Sequence, residues 1–130
     1  MSEIIRTYYA TFNSGDREAL LAMLSDDVAH DINQGGTETG REAFRAFLER
    51  MDRCYRETVE DLVVFGNEDG TRAAAEFYIR GEYLATDEGL PEANGQTYHL
   101  RVSAFFELRH GLITRVTNYY NLQRWLELVG

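Results

Sequence analysis

One cysteine, Cys54, stands alone in 130 residues. That excludes an internal disulfide and a multi-cysteine metal site. Histidine is almost as scarce. The three present, His30, His99 and His110, are too widely spaced to suggest a metal centre. No apolar run approaches the ~20 residues that a membrane-spanning helix needs. Basic residues are outnumbered, 13 against 22 acidic, and the formal net charge is −9. A nucleic-acid partner is disfavoured, because phosphates need a basic footprint. The segment Met1–Ala10 mixes Glu3 and Arg6 among its apolar residues, which is not the pattern of a signal peptide. These absences lead us to expect a cytoplasmic protein with no metal, no cofactor, no membrane and no nucleic acid.

What is present suits one folded domain spanning residues 1–130. Apolar residues make up 44% and charged residues 27%, which is neither disordered nor fibrous. Ile5, Tyr8, Tyr9 and Phe12 recur at helical spacing, as do Ala19, Leu20, Met23 and Leu24 after the Asn13–Asp16 turn. Gly15 suits the stop of the first helix and Asp16 the cap of the second. A short strand, Val28–Asn33, follows. Phe44, Phe47, Leu48 and Met51 form a single apolar stripe. Thr39 and Glu42 have the spacing of a capping box before it. The expected helices are Glu3–Phe12, Asp16–Leu24 and Arg41–Asp52.

From Tyr55 the pattern changes to long strands, Tyr55–Phe65, Thr71–Ala85, Thr97–Arg109 and Leu112–Asn121. A short helix, Leu122–Val129, ends the chain. The acidic Thr86–Gln96 connection is placed to lie over a pocket mouth. Helices first and antiparallel strands after give the α+β class. Strands this long must curve. The expectation is a cone-shaped, curved, mixed sheet with three helices of the N-terminal half on its concave face, a cystatin-like α+β roll with a cavity at its open end.

On the segments Tyr8…Asn13–Asp16, Leu24–Val28, Gly40–Phe44 and Gly111–Tyr120, the chain resembles the nuclear-transport-factor-two-like superfamily. The likeness is to its ketosteroid-isomerase-related and SnoaL-like polyketide-cyclase branches. This fold hosts many functions, so the residues must be taken one by one. The isomerase resemblance implies a general base near Asp31 and an oxyanion-stabilising tyrosine at Tyr8. The third group of that set, a protonated carboxylic acid, would fall near Ala104, which cannot donate a hydrogen bond. A resemblance to limonene-epoxide hydrolase brings forward Arg80-Gly81-Glu82 and Asn33, with Asn118 where an aspartate would be wanted. The cyclase resemblance brings forward His99, with Asn118 again in place of an acid.

Asp31 is the leading catalytic candidate, as a carboxylate removing a proton alpha to a carbonyl, with Tyr8 beside it. Asn33, Gln34, Asn118, Tyr120 and Phe12 are the expected ligand-binding residues. The expectation is that Asp31, Tyr8 and Asn118 converge on one cavity and that desolvation raises the pKa of Asp31. Asn118, an amide beside Val116 and Tyr120, needs a partner, either a ligand or Asp31. Arg80, Glu82 and His99 are weaker candidates. Arg80 and Glu82 share a face with Glu76 and Tyr78, and His99 has the parity opposite to the apolar series Tyr98–Leu108. His30 alternates away from Asp31, and Cys54 is structural. Three readings stay open: a proton-transfer enzyme acting on a small apolar carbonyl-bearing ligand, an epoxide-hydrolase-like enzyme, and a non-catalytic binder. A homodimer through the outer sheet face is expected.

Overall fold

The computed structural model describes residues 2–32 and 35–130. Its elements run α1 (Ser2–Ser14), α2 (Arg17–Leu21), β1 (Leu24–Asp31), β2 (Thr37–Thr39), α3 (Arg41–Cys54), β3 (Tyr55–Gly66), β4 (Arg72–Tyr83), β5 (Thr97–Arg109), β6 (Leu112–Tyr120) and α4 (Leu122–Val129). The six strands form one curved sheet in the order β2-β1-β6-β5-β4-β3. All neighbours are antiparallel except β1 and β6, which run parallel. The architecture is α+β, as the pattern of elements implied. No helix among the described residues is long and apolar enough to cross a membrane.

Three local expectations change. The helix expected over Asp16–Leu24 stops at Leu21, because Leu24 is drawn into β1, where it pairs with Ile113. The segment after the first strand carries the unforeseen β2, three exposed residues too few to show an alternation. The Thr39/Glu42 capping box is absent. Thr39 is held in the ladder opposite Ala29, and the helix begins after Gly40, at φ 103°, with no side-chain cap. Asp16 does cap α2, accepting from the Ala19 amide at 3.0 Å.

Alternation sorts each long strand into two faces. On β4, Ala73, Ala75, Phe77, Ile79 and Tyr83 are buried. On β5 the buried set is Tyr98, Leu100, Val102, Ala104, Phe106 and Leu108. This inner face is covered by α1 and α3, with α2 wedged between those two helices and α4 laid against β5. Phe44 and Leu48 on α3 are buried, and Phe47 and Met51 are partly so. The outer face carries ion pairs such as Arg80–Glu60 and Arg101–Glu76.

β3 is an edge strand, and α1 closes part of it. The Asn13 amide donates to the Val59 carbonyl at 3.0 Å and accepts from the Val59 amide at 2.8 Å. Two backbone groups that the ladder leaves free are thereby satisfied, just before the bulge where Asp61 takes φ 56°. Asn13→Ala should lower unfolding free energy by about 1–3 kcal/mol in urea titration, the scale of orphaned backbone groups.

Candidate functional site

Between the inner sheet face, α1, α3, α4 and the Thr86–Gln96 connection lies a cavity of about 490 Å³. Tyr8, expected as a catalytic residue, and Phe12, Asn118 and Tyr120, expected to bind a ligand, line it. Tyr8 is buried among aromatic rings, 5.1 Å from Tyr9 and 5.6 Å from Phe106. Burial pushes its hydroxyl pKa up, so it is a neutral donor. Asn118 pairs with Ala104 on β5 and presents its amide from the inner face of β6.

The acidic group in this cavity is Glu57. It sits on the inner parity of β3 with Tyr55 and Val59. Three residues stand in register across the sheet, Glu57 opposite Gly81 and Gly81 opposite Tyr98. Gly81 has no side chain, and the Tyr98 ring occupies that space. A Cβ added at Gly81 would lie 2.2 Å from the ring. Tyr98 thereby crosses a whole strand, and its hydroxyl donates to Glu57 Oε2 at 2.5 Å. Desolvation pushes the Glu57 pKa up, and the Tyr98 hydrogen bond opposes it. A carboxyl group so placed holds its proton more firmly than a free one. Trp125 of α4 backs the arrangement, with its ring 5.9 Å from Tyr98 and 5.3 Å from Tyr83.

A second carboxylate comes from the Thr86–Gln96 connection, which lies at the cavity wall as its position in the chain implied. Asp87 is buried and accepts from the Tyr55 hydroxyl at 2.8 Å. Its backbone amide donates to the Tyr83 hydroxyl at 3.0 Å, which in turn donates to the Pro91 carbonyl at 2.6 Å. Arg50 approaches Asp87 at 3.6 Å. His30 enters from β1, buried between Phe44 and Phe47 with ring centroids 4.6 Å from each. Burial pushes its pKa down to about 4, against a smaller opposing pull from Asp31, so the imidazole is neutral at pH 7. Among the described residues, no three His, Cys, Asp or Glu side chains gather as a metal site requires.

The SnoaL-like domain family matches residues 5–116. The chain belongs to this family. A candidate polyketide cyclase from Pseudomonas putida KT2440 is 59% identical, superposes with a TM-score of 0.98, and is matched over 99% of this chain and 97% of its own. Another, from Xanthomonas campestris pv. campestris, is 56% identical with a TM-score of 0.95, over 98% and 95% of the two chains. An NTF2-like protein from Anabaena variabilis, 21% identical with a TM-score of 0.75 over 92% and 87% of the chains, shares the fold. No curated protein matches the chain.

In this SnoaL-like domain the expected base is elsewhere. Asp31 does not line the cavity. Parity settles it, because Val28 and His30 point inward and Asp31 points out. On the outer face Asp31 accepts from Arg115 Nε at 2.8 Å and Nη2 at 3.0 Å, from Thr117 at 2.6 Å and from Thr37 at 2.6 Å. These bonds pull its pKa down to about 2, the reverse of the expected rise. It therefore cannot be the partner of Asn118. Arg80, Glu82 and His99 are also on the outer face. Arg80 pairs with Glu60, Glu82 with Arg56, and His99 stacks on Tyr78. Arg80 and Glu82 thus do not face the cavity. Asn33 and Gln34 lie outside the described residues.

The sequence singled out neither Glu57 nor Asp87, and His30 only as turned away from Asp31. A signal for Glu57 existed. Gly81 falls at an inward position of β4 beside the inward Tyr98, and a glycine there leaves room for a neighbour's ring to reach across. Asp31→Asn should lower stability by about 1–2 kcal/mol at pH 7 and leave cavity binding intact, since charge-assisted bonds are lost on a partly exposed surface. The Asp31 pKa is lower folded than unfolded. Its contribution is therefore complete above the ordinary value of 3.8 and disappears as pH falls towards about 2. Urea titrations of the variant should show a flatter pH dependence in that window.

Proposed function

We propose that this SnoaL-like domain is a small-molecule enzyme that removes and returns a proton alpha to a carbonyl, with Glu57 as the acid/base group. The observation that carries the reading is a single one. A desolvated carboxyl, held by one tyrosine hydroxyl, faces an apolar cavity of about 490 Å³. Its relatives described as candidate polyketide cyclases fit the same step. Ring closure by aldol chemistry starts when a base takes the proton from a carbon next to a carbonyl. The resulting enolate carbon then bonds to a second carbonyl carbon, whose oxygen receives a proton. Isomerisation uses the same first step and returns the proton to another carbon.

The reading divides labour among residues. Glu57, when ionised, accepts the proton. Tyr98 stabilises the ionised form and fixes the direction of the carboxyl group. Tyr8 and Asn118 supply neutral donors from α1 and β6 for a ligand oxygen. Tyr120 and Phe12 form part of the wall that excludes water. We further infer that two copies associate through the outer sheet face, where Phe105 and Tyr119 are 49% and 54% exposed and pack edge to face at 5.8 Å. Light scattering at micromolar concentration should return twice the 14.9 kDa chain mass.

The chemical test uses the bicyclic aryl ketone 1-tetralone in D₂O, with loss of its alpha-proton signal followed by NMR. The protein should accelerate exchange, and Glu57→Gln should reduce the acceleration by about 100-fold or more, the scale of a lost general base. The rate should rise with pH through a Glu57 pKa above the ordinary 4.5. Tyr98→Phe removes a bond to the ionised form, so this rise should move to higher pH. Exchange that is indifferent to Glu57→Gln would reject Glu57 as the base.

A further inference from the structure

His30 is a polar group in the cavity that the proposed proton transfer does not use. It is 2% exposed, lines the cavity, and stands between Phe44 and Phe47. Its Nδ1 is sealed from solvent and meets no hydrogen-bond partner among the described residues. A buried polar atom in that position costs about 1–3 kcal/mol when it is an orphan. The two ring nitrogens do not share the cost equally. Orphaned N–H groups are rarer in proteins than under-satisfied acceptors, so the sealed Nδ1 keeps the lone pair. The proton of the neutral ring is then on Nε2, the nitrogen that remains available from the cavity. The tautomer is set by what surrounds the ring, as it is when a partner sets it.

The surroundings also say what the donor is for. Phe44 packs tilted and Phe47 edge-to-face against the ring, and Val116 on β6 stands opposite His30 in the ladder. An N–H directed into such walls meets no acceptor among the described residues, and a ligand oxygen is the group that completes it. The cation that lines the cavity, Arg50, lies over the Phe47 ring at 5.6 Å and is already paired with Asp87 at 3.6 Å, so a ligand carboxylate would have to compete with Asp87 for it. The nearest charge on the same strand is Asp31, which is negative, faces outward, and is occupied by Arg115.

We propose that His30 is a ligand-binding residue, a neutral imidazole whose Nε2–H donates to the uncharged carbonyl or enol oxygen of an apolar ligand. The proposal rests on the cavity being the ligand site and adds to it the residue that receives the ligand's oxygen, so that a neutral ketone is preferred to the matching hydrocarbon.

The test compares 1-tetralone with tetralin, the same two-ring skeleton without the oxygen. Trp125 is the single tryptophan of the chain and lines the cavity, so its fluorescence reports occupancy. The wild-type protein should bind the ketone about tenfold more tightly than the hydrocarbon, the size of one buried hydrogen bond. In His30→Leu the preference should fall to about twofold or less. In the wild type, ¹⁵N NMR should show the Nε2–H tautomer of His30 before ligand is added, and a shift of that signal with tetralone but not with tetralin. The NMR reading stands even where the leucine variant does not fold. An unchanged preference in folded His30→Leu, an Nδ1–H tautomer, or no saturable binding of either probe would each overturn the proposal. Loss of alpha-proton exchange is measured separately, so failure of the Glu57 reading leaves this affinity ratio to be judged by itself.

Discussion

A carboxyl group placed inside an apolar cone must be either neutralised or hydrogen-bonded, and Glu57 is held between the two conditions. Desolvation favours its protonated form, while the Tyr98 hydroxyl at 2.5 Å favours the ionised one. That balance depends on an empty place in the sheet. The Tyr98 ring reaches β3 because Gly81 on the intervening strand has nothing to put in its way. Much of the open end follows from this contact. Trp125 packs against Tyr98, Tyr83 and Tyr55, which fixes α4 across the sheet. Tyr83 and Tyr55 in turn hold Asp87, and Asp87 holds the Thr86–Gln96 connection against the cavity.

The two faces of the sheet handle charge in opposite ways. On the outer face, acids and bases alternate and pair, as in Glu60 with Arg80 and His99, and Asp31 with Arg115. Such partly exposed pairs contribute little each. Their consequence is chiefly for register, since a one-residue slip of a strand would carry every one of them into the apolar interior. Around the cavity, the polar side chains are set among mostly apolar ones. Glu57 and Asp87 are held by tyrosine hydroxyls. His30 keeps a nitrogen with no partner among the described residues. The sorting of Asp31 outward and His30 inward is the same alternation acting on neighbours in sequence, and it decides which of them can meet a ligand.

The sequence by itself determined the periodicities. The stripe Phe44–Met51 made a helix with one apolar side, and the alternation over Tyr98–Leu108 assigned the faces of β5, because helical and extended backbones repeat at fixed intervals whatever surrounds them. The carrying segments of the family resemblance were likewise local. The pairing of strands was decided only by the tertiary structure. That Glu57, Gly81 and Tyr98 form one row depends on the registers of two separate strand pairs, and residues 57 and 98 have no relation until both are fixed. Asp31 shows the other side of the same limit. An acid next to a glycine-rich turn looks the same in sequence whether it faces a cavity or an arginine 84 positions away. The sheet chose the arginine, because β6 lies beside β1 with Arg115 and Thr117 on the outer face.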